Sequence, residues 1–142
     1  MKILWITIGL ILIISGCTGQ KPVVFDSEPG SLVHDLPKVE LLESGEFAAL
    51  IEDEGVFLLN VHTPYEGEIS GTDAVIEDWE NIGLHTDQLP EDKNKPIAVY
   101  CRSGRMSADA AEQLIDLGYT KVYDLKNGMI GWKESGRDIV EK

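Results

Sequence analysis

Apolar positions along the chain switch repeatedly between strand-like and helix-like spacing. Residues 39–42 (Val-Glu-Leu-Leu) read as a short strand. Phe47, Leu50 and Ile51 recur at helical spacing, with Ser44 as the expected N-cap and Gly55 closing the segment. Residues 56–61 (Val-Phe-Leu-Leu-Asn-Val) are almost continuously apolar, as in a strand covered on both faces. Residues 74–76 give a third short strand, and Asp78 is placed to cap a helix carrying Trp79, Ile82 and Leu84. A charged turn over 91–95 ends at Pro96. Residues 97–100 (Ile-Ala-Val-Tyr) then form another buried strand that stops at Cys101. Ala108, Ala111, Leu114 and Ile115 predict a helix over 107–117, with Gly118 at its C-terminal end. Residues 122–125 make the last strand, and a short helix surrounds Met129, Ile130 and Trp132. Strands alternating with helices imply an α/β domain: a parallel-dominated sheet with helices on both faces.

The N-terminus breaks this rhythm. After Met1 and Lys2, residues 3–14 are apolar apart from Thr7 and Gly9. The run is short of the roughly 20 residues that span a bilayer, and it reads as a signal peptide over residues 1–16. Ile14-Ser15-Gly16-Cys17 resembles the lipobox of prokaryotic lipoproteins. That resemblance implies cleavage before Cys17, lipidation of its thiol and a membrane-anchored, extracytoplasmic protein of the cell envelope. Acyl chains contribute about 0.8 kcal/mol per buried CH₂, so several together hold a small domain on a membrane. Residues 17–37 are then a lipidated N-terminus and flexible linker, rich in Gly, Pro and Ser, leaving residues 38–142 as the folded domain.

Charge narrows the partners. The chain has 12 Lys and Arg against 25 Asp and Glu, a formal net charge of -13. Nucleic acid is a poor partner for it, because phosphate contacts need clustered cations. His34, His62 and His85 are scattered, and no CxxC or closely spaced His pair suggests a metal site; no cofactor is expected. With Cys17 lipidated, Cys101 is the one remaining thiol, and an intrachain disulfide is excluded.

Cys101 sits where a buried strand gives way to a helix, within Cys101-Arg102-Ser103-Gly104-Arg105-Met106-Ser107. A helix N-terminus aims unpaired N–H groups and partial positive charge at whatever lies there, which favours a thiolate over a thiol. Arg102 and Arg105 add cationic charge. Gly104 lets the backbone curl around the sulfur. Ser103 and Ser107 offer caps or donors to a bound anion. Together these parts form an anion cradle with a nucleophile in its floor.

Val99-Tyr100 and this loop resemble the active-site loop of rhodaneses, and of single-domain rhodanese modules in particular. Leu59-Asn60-Val61-His62-Thr63-Pro64 is similar to that family's Leu-Asp-Val-Arg-Thr-Pro segment. Asn127-Gly128-Met129-Ile130-Gly131-Trp132 is similar to its Gly-Gly-Met-x-x-Trp. The resemblance implies a rhodanese-like fold and sulfurtransferase chemistry. A Cys101 thiolate takes sulfane sulfur from a small anionic donor, thiosulfate or a persulfide, and passes it to a thiol or cyanide acceptor. It further implies that backbone N–H groups of residues 102–107 hold the terminal sulfur and that Arg102 and Arg105 attract the donor.

The chain departs from the family pattern in three places. Asn60 stands where Asp is usual, and His62 where Arg is usual; His62 is expected in a structural or surface role rather than a catalytic one. The segment 65–71 is about three residues short, with Glu68 in place of a His. Met129 and Trp132 are expected in the core. Two rival functions follow from the same loop. A phosphatase or arsenate reductase needs an arginine where this chain has Ser107, and Arg105 comes too early. A rhodanese-like carrier or docking domain, relaying sulfur to a partner or only binding one, is the alternative to a turnover enzyme.

Overall fold

The computed structural model describes residues 36–141. The expected signal peptide, Cys17 and most of the expected linker lie outside the described residues.

Five parallel strands form one sheet in the order β1-β5-β4-β2-β3. They are β1 (Val39–Leu42), β2 (Phe57–Asn60), β3 (Ala74–Val75), β4 (Ile97–Tyr100) and β5 (Val122–Leu125). Among the described residues are three α-helices: α1 (Ser44–Ile51) and α2 (Arg105–Asp116), which link strands, and α3 (Gly128–Glu134), which follows β5. The apolar run 97–100 takes the central position, and all four of its residues are buried. Its side chains alternate between two cores, as strand geometry requires. Ile97 and Val99 join Leu59, Ala110, Ala111 and Leu114 under α2; Ala98 and Tyr100 join Phe47, Leu125, Met129 and Trp132 under α1 and α3. The expected α/β architecture, a parallel sheet covered on both faces, is the one observed. Met129 and Trp132 are core residues as expected, with Trp132 packed edge-on against Phe47 at 6.3 Å between ring centroids.

Three local expectations are corrected. Helix α1 begins at Ser44 with Glu43 as its N-cap, because Glu46 reaches back to the Glu43 N–H at 3.1 Å. Helix α2 starts earlier than expected, at Arg105, because Gly104 turns the chain in a left-handed conformation (φ 92°). Its buried stripe is Ser107, Ala110, Ala111 and Leu114, so Ala108 faces solvent. The helix expected after Asp78 is a 3₁₀ segment, Trp79–Gln88, interrupted at Asn81 and His85. Asp78 accepts from Asn81 Nδ2 (2.9 Å) and contacts the His85 ring (3.2 Å), side-chain bonds that compete with a regular ladder. Ile82 is buried, but Leu84 is exposed. Gln113 of α2 clamps this segment, accepting the Ile82 N–H (3.0 Å) and donating to the Trp79 carbonyl (2.9 Å).

Candidate active site

Cys101 follows directly on the central strand, at the carboxyl end of the sheet, where open α/β folds place their sites. Residues 102–104 then turn the chain into α2. The first backbone N–H groups of that helix, from Gly104 to Ser107, have no acceptor within it. The Gly104 N–H donates to the Cys101 sulfur at 3.1 Å. Of the N–H groups expected to surround the sulfur, that of Gly104 lies within hydrogen-bond distance of it, and Cys101 itself is buried.

Two backbone bonds that sequence spacing does not reveal fix the loop from below. At the start of α3, the Met129 N–H donates to the Cys101 carbonyl (2.9 Å) and the Ile130 N–H to the Arg102 carbonyl (3.0 Å). This approach needs Gly128. A Cβ there would lie 2.3 Å from the Cys101 carbonyl oxygen and 2.6 Å from the Arg102 carbonyl carbon. Gly128 and the α3 amides thus support the site without any sign in the residue pattern of the Cys101 loop; the Asn127-Gly128 pair is the one sequence signal for them.

The other loop residues separate. Ser107 is fully buried, and its hydroxyl faces inward: it lies 3.3 Å from the Gly104 carbonyl and also hydrogen-bonds the buried Asp124. Only its N–H remains for an anion. Burial pushes the Asp124 carboxyl up to about 6, against the lowering effect of its Ser107 and Leu125 hydrogen bonds. One of its oxygens, Oδ1, has no hydrogen-bond partner. Asp124 is not among the residues the sequence singles out, because an acid in a strand gives no sign of facing a helix N-terminus. Met106 is half-buried against the α2 core, and Ser103 is exposed. Arg105 lies over the Trp79 ring, 5.1 Å from its centroid. Arg102 Nε lies 3.4 Å from Glu66 Oε2. Both arginines flank the loop, and each already has a protein partner.

The departures at Asn60 and His62 are joined by a hydrogen bond of their own. Asn60 donates to the Gly67 carbonyl (3.2 Å) and accepts the His62 N–H (2.9 Å). His62 is buried rather than at the surface. Its Nε2 is 3.4 Å from the same Glu66 oxygen that Arg102 approaches, close but not aligned for a hydrogen bond. The short segment 65–71 is pinned by backbone bonds between Glu68 and Val140 (2.8 and 2.7 Å). Beneath it, the Tyr100 hydroxyl accepts the Ile69 N–H (2.9 Å) and pairs with Thr72 Oγ1 (2.6 Å).

Comparison with known proteins agrees with this geometry. The family model described as Rhodanese-like domain matches residues 43–135. A protein named Sulfurtransferase from Allochromatium vinosum is 34% identical over 94 residues, covering 64% of this chain and 84% of its own length. Thiosulfate sulfurtransferase GlpE from Actinobacillus pleuropneumoniae is 33% identical over 91 residues, 63% of this chain and 82% of its own. The crystal structure of a rhodanese-related protein from Thermoplasma volcanium superposes with a TM-score of 0.61 at 26% identity, covering 72% of this chain and 99% of that one.

Proposed function

The chain belongs to the rhodanese-like family, and on that premise we propose that it is a sulfurtransferase working through a Cys101 persulfide. The observation that carries the reading is the Gly104 N–H on the Cys101 sulfur at the N-terminus of α2. That position favours negative charge on sulfur, whether on the attacking thiolate or on the loaded persulfide. The thiolate attacks the outer sulfur of a donor such as thiosulfate. The donor's S–S bond breaks, and its electron pair leaves with sulfite. An acceptor thiolate or cyanide then attacks the terminal sulfur of the persulfide, and Cys101 departs as the thiolate. The unpaired N–H groups of Arg105, Met106 and Ser107 hold the terminal sulfur between the two steps.

Steady-state thiosulfate:cyanide turnover by the full chain tests this. Cys101→Ser abolishes the activity. A wild type that accepts sulfur but does not pass it to cyanide or small thiols is instead the carrier domain of the alternative reading. A wild type that neither turns over nor loads sulfur from thiosulfate or a hydropersulfide contradicts sulfur transfer.

The same proposal puts the domain outside the cytosol, tethered by lipid on Cys17. The lipobox-like residues 14–17 support this. Cys17→Ala abolishes incorporation of labelled acyl chains and releases the protein from the membrane fraction. Unchanged acylation contradicts the anchor.

A further inference from the structure

Glu66 stands beside the Cys101 loop, next to backbone that is held on one side. The Asn60 amide holds the neighbouring Gly67 carbonyl at 3.2 Å, and Glu68 exchanges backbone bonds with Val140. Gly67 takes φ 95°, and a Cβ there would come within 3.0 Å of the Val140 carbonyl oxygen, so the chain passes tightly against the C-terminal tail. This short loop presents the Glu66 carboxylate to Arg102 at 3.4 Å, with buried His62 at the same distance behind it. Arg102 is the first cation after Cys101, and Arg105, the second, is stacked on Trp79. An approaching anion therefore meets Arg102 with its charge already balanced by a carboxylate.

From this geometry we propose that Glu66 is a specificity-determining residue: it occupies Arg102 and so disfavours dianionic donors such as thiosulfate. The favoured donor is then a hydropersulfide, R–S–SH, on a carrier of low charge. The donor class rests on the sulfur-transfer reading; the charge filter itself does not. Both donors load Cys101 without an external oxidant. The thiolate takes the terminal sulfur, the S–S bond breaks, and the electron pair leaves on sulfite or on R–S⁻.

The test uses two alkylating reagents of matched chemistry and similar size, iodoacetate (anionic) and iodoacetamide (neutral). Rates at Cys101 are read by peptide mass spectrometry on the full chain, in wild type, Glu66→Gln, Arg102→Gln and the double variant. Arg102 and Glu66 are both substantially exposed (58% and 44% of the side chain), so the effect is that of a solvent-screened pair. Glu66→Gln raises the iodoacetate-to-iodoacetamide rate ratio by roughly two- to fivefold. The gain is smaller in the Arg102→Gln background. In parallel, kcat/KM for thiosulfate rises in Glu66→Gln while that for a hydropersulfide on an uncharged carrier does not. An unchanged reagent ratio overturns the filter, and an equal gain with and without Arg102 overturns its action through that residue. A ratio that moves while neither donor loads Cys101 in either protein leaves the filter standing and overturns sulfur transfer instead.

Discussion

Gly104 donates its backbone N–H to the sulfur of Cys101 across 3.1 Å, and it does so from a left-handed conformation (φ 92°). A side chain at Gly104 would meet no atom nearer than 3.5 Å, so its substitution is limited by backbone conformation rather than by space. Gly104→Ala should cost about 1–2 kcal/mol of stability. Relaxation of that φ turns the N–H away from the sulfur, so alkylation of Cys101 by iodoacetamide at neutral pH should slow. Denaturant unfolding and a rate measurement check the two effects separately; a stable variant with wild-type reactivity contradicts the assignment of this N–H.

Gly128 predicts the opposite kind of cost. A methyl group added there would lie 2.3 and 2.6 Å from backbone atoms of Cys101 and Arg102, and neither can step aside without moving the loop. Gly128→Ala should lose about 3 kcal/mol and disrupt the site. Asn127→Gly is the control. Asn127 already holds φ 59°, a conformation glycine adopts freely, so that change should leave stability within about 0.5 kcal/mol and preserve activity. Thermal unfolding of the two variants separates them.

Asp124 makes stability depend on pH. Burial raises its folded pKa from 3.8 to about 6. Between those values the folded state keeps a proton that the unfolded state has released, so stability from this group falls as pH rises through the window. The difference of about two units corresponds to about 3 kcal/mol at most. Asp124→Asn should flatten the stability profile between about pH 4 and 6 and lessen the penalty at neutral pH. Chemical denaturation across that range checks it; a profile that keeps its slope places the titration elsewhere.

Much of this is legible in the sequence, for reasons that differ by element. The strand 97–100 is unambiguous because four successive apolar residues after Pro96 need burial on both faces. Cys101 and its loop are legible because cysteine, arginines and glycine fall within one strand-to-helix turn. The start of α2 is not, because Arg105 and Met106 look like loop residues until Gly104 is known to be left-handed. The segment after Asp78 misleads because Trp79, Ile82 and Leu84 have helical spacing, whereas local side-chain bonds and the Gln113 clamp decide its conformation. Contacts such as Glu66 with Arg102, Asp124 with Ser107, and the α3 amides with the Cys101 loop join distant segments. Local periodicity carries no information about them.

Tyr100 ties the central strand to the short loop that carries Glu66. Burial pushes its hydroxyl up to about 12, so it stays protonated throughout the physiological range. Tyr100→Phe would strand the Ile69 N–H and remove a partner from Thr72, both buried. The expected loss is about 1–3 kcal/mol. Faster hydrogen exchange at the Ile69 amide should accompany it. Wild-type protection at Ile69 would show that the hydroxyl does not anchor the loop.

Whether Cys101 carries sulfur is tested most directly by intact-protein and peptide mass spectrometry after brief exposure to thiosulfate or a hydropersulfide. The persulfide mechanism requires a gain of one sulfur atom, confined to the peptide containing Cys101, removed by cyanide or a thiol and absent in Cys101→Ser. A wild-type chain that gains no sulfur from either donor, or gains it equally in Cys101→Ser, would be incompatible with it.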